Sequence, residues 1–222
     1  MNIAIIPARS GSVRLKDKNI QDFHGVPLLI HTVVAAIDSG LFDIVHVSTD
    51  TDDIANIVRS FGIDVPVLRS KENSSSTSSS MSVILEVVCY YENKGAIVTN
   101  IALLQPTSPL RNSRHIISAF ELLKDDVYSV ISVTKPYSDI KVINNYLKSK
   151  QNLTNQDFKN LFGNFILNGA IYLLKRNNLN AQDYYNNDSV IFEMEPEYSI
   201  DIDSKDDFDL ALILFEKNRS NH

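Results

Sequence analysis

Short apolar runs alternate with stretches of helical periodicity through most of this chain, and that alternation restricts the fold more than any single motif does. The runs Ile3–Ile6, Ile44–Ser48, Val65–Leu68, Ile97–Leu104 and Tyr128–Val133 have the length and apolar character of buried strands. Between them, Ile30, Val33, Val34, Ile37 and Leu41 recur at helical spacing. So do Ile84, Val87, Val88 and Tyr91, and later Ile116, Ala119, Phe120 and Leu123. Repeated strand–helix–strand units predict an α/β domain with a mostly parallel sheet and helices on both faces. Right-handed crossovers would place the strand carboxyl ends along one edge, where ligands of such sheets bind. At 222 residues the chain fits one such domain with a sizeable core.

The alternation stops near Lys135. From there to Phe165 the chain is polar, rich in Asn and Lys, and without a clear core stripe. A structureless loop of that length is uncommon inside a compact domain, so residues 135–165 are expected to form an arm that pairs with another subunit or covers a site. Regularity returns with Gly169–Leu174, Val190–Met194 and Ser199–Asp203. A last helix follows, with Phe208, Ala211, Leu212 and Phe215 on one face. Asp206, Asp207 and Asp209 stand in its first turn, where acid suits the helix dipole. By composition alone, Ser74–Ser80 is a flexible linker.

A net charge of −6 argues against a general nucleic-acid binder and makes the cations near the N-terminus a local feature. No stretch approaches the roughly 20 apolar residues of a membrane span, and the chain opens on a strand rather than on a signal-peptide pattern. The expectation is a cytoplasmic protein without nucleic-acid or membrane partners. The single cysteine, Cys89, excludes a disulfide framework or a thiolate metal site within one chain, and is expected to be a small buried core residue. His24, His31, His46, His115 and His222 show no metal-ligand spacing and no pairing with a nucleophile.

Four segments carry chemistry. After Pro7 the first strand opens into Ala8-Arg9-Ser10-Gly11-Ser12, followed by Arg14, Lys16 and Lys18. Small residues let backbone N–H groups turn towards an anion, and the cations can neutralise several phosphate oxygens. An ordinary solvated basic turn fits the same residues, and neither the Walker nor the three-glycine dinucleotide pattern is present. Asp201-Ile202-Asp203 places two carboxylates on one side of an extended segment, a donor pair suited to Mg²⁺. In Leu103–Arg111 two prolines fix the backbone around Gln105, Thr107, Ser108 and Arg111, which suits a hydroxyl-rich ligand; a tight strand-to-helix connection with Ser113 as N-cap fits equally. Asn168-Gly169-Ala170-Ile171-Tyr172 has small residues that permit close approach. Asp50, closing the second strand, can serve the site edge or cap the helix after it, and the cap is the first expectation.

Together and in this order, these segments resemble the acylneuraminate (nonulosonate) cytidylyltransferases, the CMP-sialic acid synthetase family. The resemblance implies a Rossmann-like nucleotidyltransferase sheet with a protruding dimerisation arm. The implied reaction transfers CMP from CTP to the anomeric hydroxyl of a nine-carbon keto acid sugar, with Mg²⁺ and release of pyrophosphate. It implies that the Ala8–Ser12 loop binds CTP, with Arg9, Ser12 and Lys18 on the triphosphate and Asn19 at the nucleoside end. Arg69 would lie near the cytidine, and the serine-rich segment, including Ser76 and Ser80, would become the base-binding loop. Gln105, Thr107, Ser108, Asn168, Gly169, Ala170 and Tyr172 would form the sugar side, and Asp201 and Asp203 would hold metal. Lys141 matches a lysine that reaches from the arm into the partner's site in the family's homodimers.

Three positions depart from the family pattern. Val13 replaces the usual loop lysine and Arg14 follows where glycine is common, which moves the cationic role to Arg14 and leans towards the pseudaminic acid and 3-deoxy-manno-octulosonate branches. Ser76 stands where many members have Asp. The Arg-Gln pair ahead of the Asn-Gly-Ala motif, whose arginine binds the sugar carboxylate, aligns with Phe158-Lys159, so that Lys159 takes that role after a one-residue shift. The catalytic charges are then Arg9, Arg14, Lys18 and Asp203. The same reaction on 3-deoxy-manno-octulosonate and a non-catalytic CTP-binding protein are the alternatives.

Overall fold

The computed structural model describes all residues except 12–13, 76–77, 137–138, 152–155, 180–183 and 221–222. Ser12 and Ser76, assigned above to nucleotide binding, and Val13, which replaces the family's loop lysine, lie outside the described residues.

Six strands form the main sheet: β1 (Asn2–Pro7), β4 (Ile44–Ser48), β5 (Asn100–Leu103), β6 (Ser129–Thr134), β7 (Ile166–Lys175) and β8 (Val190–Glu193), in the order β4-β1-β5-β7-β6-β8. A two-residue hairpin, β2 (Asp22–Phe23) and β3 (Val26–Pro27), lies outside it. Its turn needs positive φ at His24 and Gly25, 55° and 90°. The helices are α1 (Leu28–Asp38), α2 (Asp52–Ser60), α3 (Ser80–Glu92), α4 (Ser113–Glu121), α5 (Lys141–Gln151), α6 (Gln156–Phe162) and α7 (Lys205–Ser220).

The predicted mostly parallel sheet is present, with one difference that shapes the site. β1 pairs in parallel with β4 and β5, and β6 with β8, but β7 runs antiparallel between β5 and β6. The start of β7 therefore lies at the carboxyl edge of its neighbours, and Asn168-Gly169-Ala170 meets the segment that leaves β5. The interior divides into clusters, one around Ala4, Ile6, Leu29, Val33, Val47 and Leu173, another around Ile3, Ile5, Ile84, Val88 and Ile101. These are the two faces of β1, whose alternate residues point opposite ways, and both faces are covered.

Several predicted elements differ. Val65–Leu68 forms no strand: Pro66 interrupts it, and only Arg69 N–H reaches the sheet edge, at Thr49 O, 2.7 Å. Ser199–Asp203 keeps the alternation, with Ile200 and Ile202 buried, but pairs with no strand; Ile202 N–H bonds Thr107 O at 2.8 Å. On α1 the buried stripe is Leu29, Ile30, Val33 and Ala36, leaving Val34 and Ile37 outside at 47% and 48% exposure. Cys89 is exposed rather than buried, because Ile84, Val87 and Val88 turn the opposite face of α3 to the sheet. The N-cap of α4 is Asn112, not Ser113, in a reciprocal capping box with His115.

The polar stretch after Lys135 contains α5 and α6. Ile143 and Leu147, four residues apart, pack with Phe23, Leu28, Ile166 and Phe208, and Phe158 is buried beside Phe162 and Tyr185. Two buried apolar residues in an Asn- and Lys-rich helix were too sparse to read as a stripe. Val142 on the same helix is 60% exposed.

Candidate active site

The first loop forms because Pro7 ends β1 and the chain turns over the edge of β4. Ala8 N–H still bonds Ser48 O at 2.9 Å. Ser10 then gives its N–H and hydroxyl to the two oxygens of Asp50, at 2.8 and 3.0 Å. Asp50 thus holds this loop; Thr51, not Asp50, is the N-cap position of α2. Gly11 is exposed beyond this clamp. The loop returns through a left-handed Asp17, φ 52°, into a short 3-10 turn over Lys18–Ile20. There Asn19, buried, donates its side-chain amide to Arg9 O at 3.0 Å.

Beside this loop lies a cavity of about 420 Å³ at the carboxyl edge of the sheet. Arg9, Arg14, Lys18, Asn19 and Arg69 line one side of it. Ser75, Ser78 and Ser80 come from the serine-rich run, and Gln105, Thr107 and Asp203 close the other side. Residues scattered over some 190 positions of the chain are brought together here.

The serine-rich run is not a linker. A 3-10 turn over Glu72–Ser74 opens it, Ser78 hydroxyl donates to Glu72 O at 2.6 Å, and Ser79 caps α3 by accepting from Ser82 N–H. Glu86 of α3 anchors its base, accepting Ser70 N–H and hydroxyl at 2.7 and 2.9 Å and the Asn73 amide. Burial pushes the Glu86 carboxyl up, but these donors and the charge of Arg69 outweigh it, and it sits below the usual range. Arg69 is fixed in turn by Ser48, its Nε on the hydroxyl at 2.9 Å and Nη2 on the carbonyl at 2.5 Å. Asn73 and Glu86 are the residues sequence reasoning missed here, since a lone acid on a helix carries no motif that singles it out; Asp50 was seen, but its place at the site edge was ranked behind a capping role.

Asp203 gathers three cations: Arg14 Nη1 at 3.2 Å, Lys18 Nζ at 3.4 Å and Lys150 Nζ at 3.6 Å. They are unequal. Arg14 is 74% exposed, so water screens its pair, whereas Lys18 is 12% exposed and also donates to Ile202 O at 2.5 Å. Lys150 comes from α5, as does Tyr146, whose hydroxyl donates to Asp201 O and accepts from Asp201 N–H, both at 3.0 Å. Nothing in the polar sequence of α5 foretold these anchors. Asp201 is raised above the ordinary aspartate range by burial; a hydrogen bond from Thr107 opposes this and the charge of Asp203 adds to it. Among the described residues no group of three His, Cys, Asp or Glu side chains forms a metal cluster. Asp203 lines the cavity and Asp201 stands buried behind it; two hard carboxylates of this kind are the donor type Mg²⁺ takes together with water or phosphate.

The other side is shaped by a bulge. Between the pairs Ile131–Tyr172 and Val133–Leu167 the register slips, and residues 168–171 of β7 face the single Ser132 of β6. Ser132 hydroxyl donates to Asn168 Oδ1 at 2.6 Å and accepts from Ile171 N–H at 2.7 Å. The Asn168 amide nitrogen donates to Ser199 Oγ at 3.0 Å and reaches Met194 Sδ at 3.3 Å. Gly169 sits at the crest with φ +73°, and a Cβ there would stand 3.4 Å from Gln105 Oε1 and 3.9 Å from Asp201 Cγ. Glycine is favoured by the backbone angle; a Cβ would make ordinary contact, and a larger side chain would press on Gln105. The structure thus places Gln105 and Thr107 on the cavity and Gly169 directly behind them. The side chains of Asn168 and Ser108 and the residue Ala170 are turned inward. Tyr172 stacks on Tyr184 at 5.3 Å, its hydroxyl pushed well up by burial. Lys141, exposed, and Lys159, half-buried, do not line the cavity. Arg111, expected to face a ligand, is 1% exposed and props the bulge from behind, Nε on Ala170 O at 3.2 Å and Nη2 on Gln105 O at 3.3 Å.

The family model described as Cytidylyltransferase matches residues 3–220. An N-acylneuraminate cytidylyltransferase of Escherichia coli O18:K1:H7 is 36% identical over 97% of this chain and 52% of its own length. One from Streptococcus agalactiae serotype V is 35% identical over 93% and 51%. A CMP-N,N'-diacetyllegionaminic acid synthase of Legionella pneumophila is 32% identical over 98% and 97%. The chain spans about half the length of the first two relatives and nearly all of the third. In three dimensions it superposes on a CMP:2-keto-3-deoxy-manno-octonic acid synthetase complexed with CTP, with a TM-score of 0.69 at 16% identity, covering 98% of this chain and 99% of that one. At that identity the likeness is one of fold.

Proposed function

The chain belongs to the cytidylyltransferase family, and from that premise we propose that it transfers CMP from CTP to the anomeric hydroxyl of a nonulosonic, sialic acid-type sugar with release of pyrophosphate. The observation that carries this reading is the single cavity in which Arg9, Lys18 and Arg69 face Gln105, Thr107 and Asp203. One side offers fixed positive charge for a triphosphate, and the other offers neutral donors and acceptors for a polyol.

Attack of the sugar oxygen on the α-phosphorus places negative charge on the non-bridging oxygens and on the departing pyrophosphate, so catalysis is mainly positioning and neutralisation. Arg9, Arg14 and Lys18 hold the β- and γ-phosphates and lower the energy of that leaving group. The Ala8 and Ser10 N–H groups are spent on Ser48 O and Asp50, so this part of the loop serves as the fixed base from which Arg9 and the exposed Gly11 meet the ligand. Asn19 and Arg69 serve the nucleoside end, with Ser75, Ser78 and Ser80 as the wall against the base. Gln105 and Thr107 orient the sugar. Asp201 and Asp203 are the residues that would hold Mg²⁺, and when bound it would supply positive charge to offset that of the phosphates.

The enzyme is further proposed to act as a cytoplasmic homodimer of single-domain subunits, with residues 135–165 at the interface. The exposed Val142 next to Lys141 supports an interface there. The test is incubation with CTP, Mg²⁺ and a panel of nonulosonic acids together with 3-deoxy-manno-octulosonate. Pyrophosphate release with a nine-carbon acid is expected; release with the eight-carbon acid alone selects the near alternative, and none with any sugar refutes transfer. Sedimentation of wild type against Val142→Asp tests the dimer, which is expected to dissociate in the variant.

A further inference from the structure

On another part of the surface, between α1, the segment 109–113 and the end of α7, lies a second cavity of about 440 Å³ that shares no lining residue with the first. Its walls mix hydrocarbon from Val34, Leu110 and Phe215 with polar groups from Arg111, Asn218 and Arg219. Two nitrogens of these polar residues, Arg111 Nη1 and Asn218 Nδ2, are buried without a hydrogen-bond partner among the described residues. Both are donors that have no acceptor capacity of their own. Desolvation of Arg111 is severe enough to bring its pKa to about 9, and its described partners are two carbonyls and the Thr32 hydroxyl, with no carboxylate. A buried cation and two idle donors create a demand for a negatively charged acceptor. Among the described residues the only acid lining the cavity is Asp38, which is exposed.

We propose that this cavity is a second ligand site, and that it takes a small amphipathic organic carboxylate. The carboxylate satisfies Arg111 Nη1 and Asn218 Nδ2, and the hydrocarbon part packs on Val34, Leu110 and Phe215. Neither nitrogen is exposed to solvent in this structure, so entry requires a side-chain shift, and Asn218 and Arg219 lie in the last turns of α7, where a helix yields most readily. The site is linked to the first one through a single group. The guanidinium that receives the carboxylate also holds Gln105 O and Ala170 O, the backbone directly behind Gln105 and Gly169. Binding therefore bears on the geometry of the bulge without contact with the first cavity.

The test uses benzoate as probe, at constant ionic strength and with CTP present to occupy the cationic cavity, beside benzamide and inorganic phosphate as controls. Benzoate is expected to shift the Arg111 Nε–H and Asn218 side-chain amide resonances saturably and to raise Tm by roughly 3–5 °C at tenfold excess over Kd. Benzamide and phosphate are expected to do neither. Val34→Trp, which fills the cavity from an exposed position, is expected to fold normally and lose the response. Asn218→Asp, which tethers a carboxylate in the same wall, is expected to raise Tm without benzoate and to lose the response as well. Equal shifts with benzamide, shifts with phosphate alone, or a benzoate response unchanged in Val34→Trp would overturn the proposal. Because the resonances are local to Arg111 and Asn218, failure of the cytidylyl-transfer reading leaves this outcome unaffected.

Discussion

The two sides of the candidate active-site cavity are built on opposite plans. On the β1 side, function rests on side chains: Arg9, Arg14 and Lys18 ride on a loop fixed at a few points, chiefly Ser10 on Asp50 and Asn19 on Arg9 O. On the β7 side most polar side chains are consumed within the protein. Asn168, Ser132, Ser199 and Arg111 bond to one another's segments, and what reaches the cavity is a backbone crest at Gly169 with Gln105 and Thr107 in front of it. A triphosphate has the same charges whatever sugar it meets, so point cations on a loop suffice for it. A sugar is distinguished by shape, and shape must be held from behind.

That contrast can be broken by mutation. The largest effect is expected for Asn168→Ala, which strips the bulge of its central side chain; loss of several buried hydrogen bonds should cost about 3–4 kcal/mol in urea unfolding. A cost under about 1 kcal/mol would mean that the bulge holds itself. Next, Gly169→Val is expected to lower turnover with sugar on the order of 100-fold while the Kd for CTP stays within about twofold, since its strained backbone displaces Gln105 but not the cationic loop. Equal damage to CTP binding would show that the two sides are not separable. Lys18→Met should reduce kcat/KM for CTP by roughly 30-fold, and Arg14→Ala by under about 10-fold without lowering Tm, because only Lys18 is shielded from water. An Arg14→Ala enzyme with unchanged CTP kinetics would remove that charge from the site.

The smallest effect runs in the opposite direction. Asp201 has a folded-state pKa above its unfolded value, so at neutral pH its ionised form is disfavoured in the fold. Asp201→Asn should therefore stabilise the protein by about 1 kcal/mol at pH 7 while abolishing Mg²⁺-dependent turnover. As pH falls through the raised pKa, the wild-type carboxyl takes up its proton and the advantage of the variant disappears. Urea midpoints of both proteins from pH 7 to pH 4 measure this, and a variant less stable than wild type at pH 7 would count against it.

The same contrast explains what was legible in the sequence. Ile3–Ile6 and Ile44–Ser48 announced themselves because parallel strands buried on both faces are continuous apolar runs, and the loop after Pro7 was visible because charges clustered there. Gly169 was noticed only as a small residue. The reversal of β7, which brings it to the edge, leaves no trace in local composition, since an antiparallel central strand reads like a parallel one. Arg111 looked like a ligand-facing cation, and only its burial shows it to be a prop. Lys150 and Tyr146 were invisible because their helix presents just Ile143 and Leu147 to the core. Val65–Leu68 misled through apolar content alone, Pro66 notwithstanding.

The convergence of Arg14, Lys18 and Lys150 on Asp203 also fixes an order of events while the chain is being made. Strand β1 can find β4 and β5 once roughly the first half of the polypeptide has emerged, and the basic loop then stands at the edge of a nascent sheet with no counter-charge from residue 203. The crest of β7 comes later, and the aspartate last of all, directly before the terminal helix. The three cations therefore gain this shared counter-charge only after every strand of the sheet has been made, and the site's electrostatic balance is a late product of the chain.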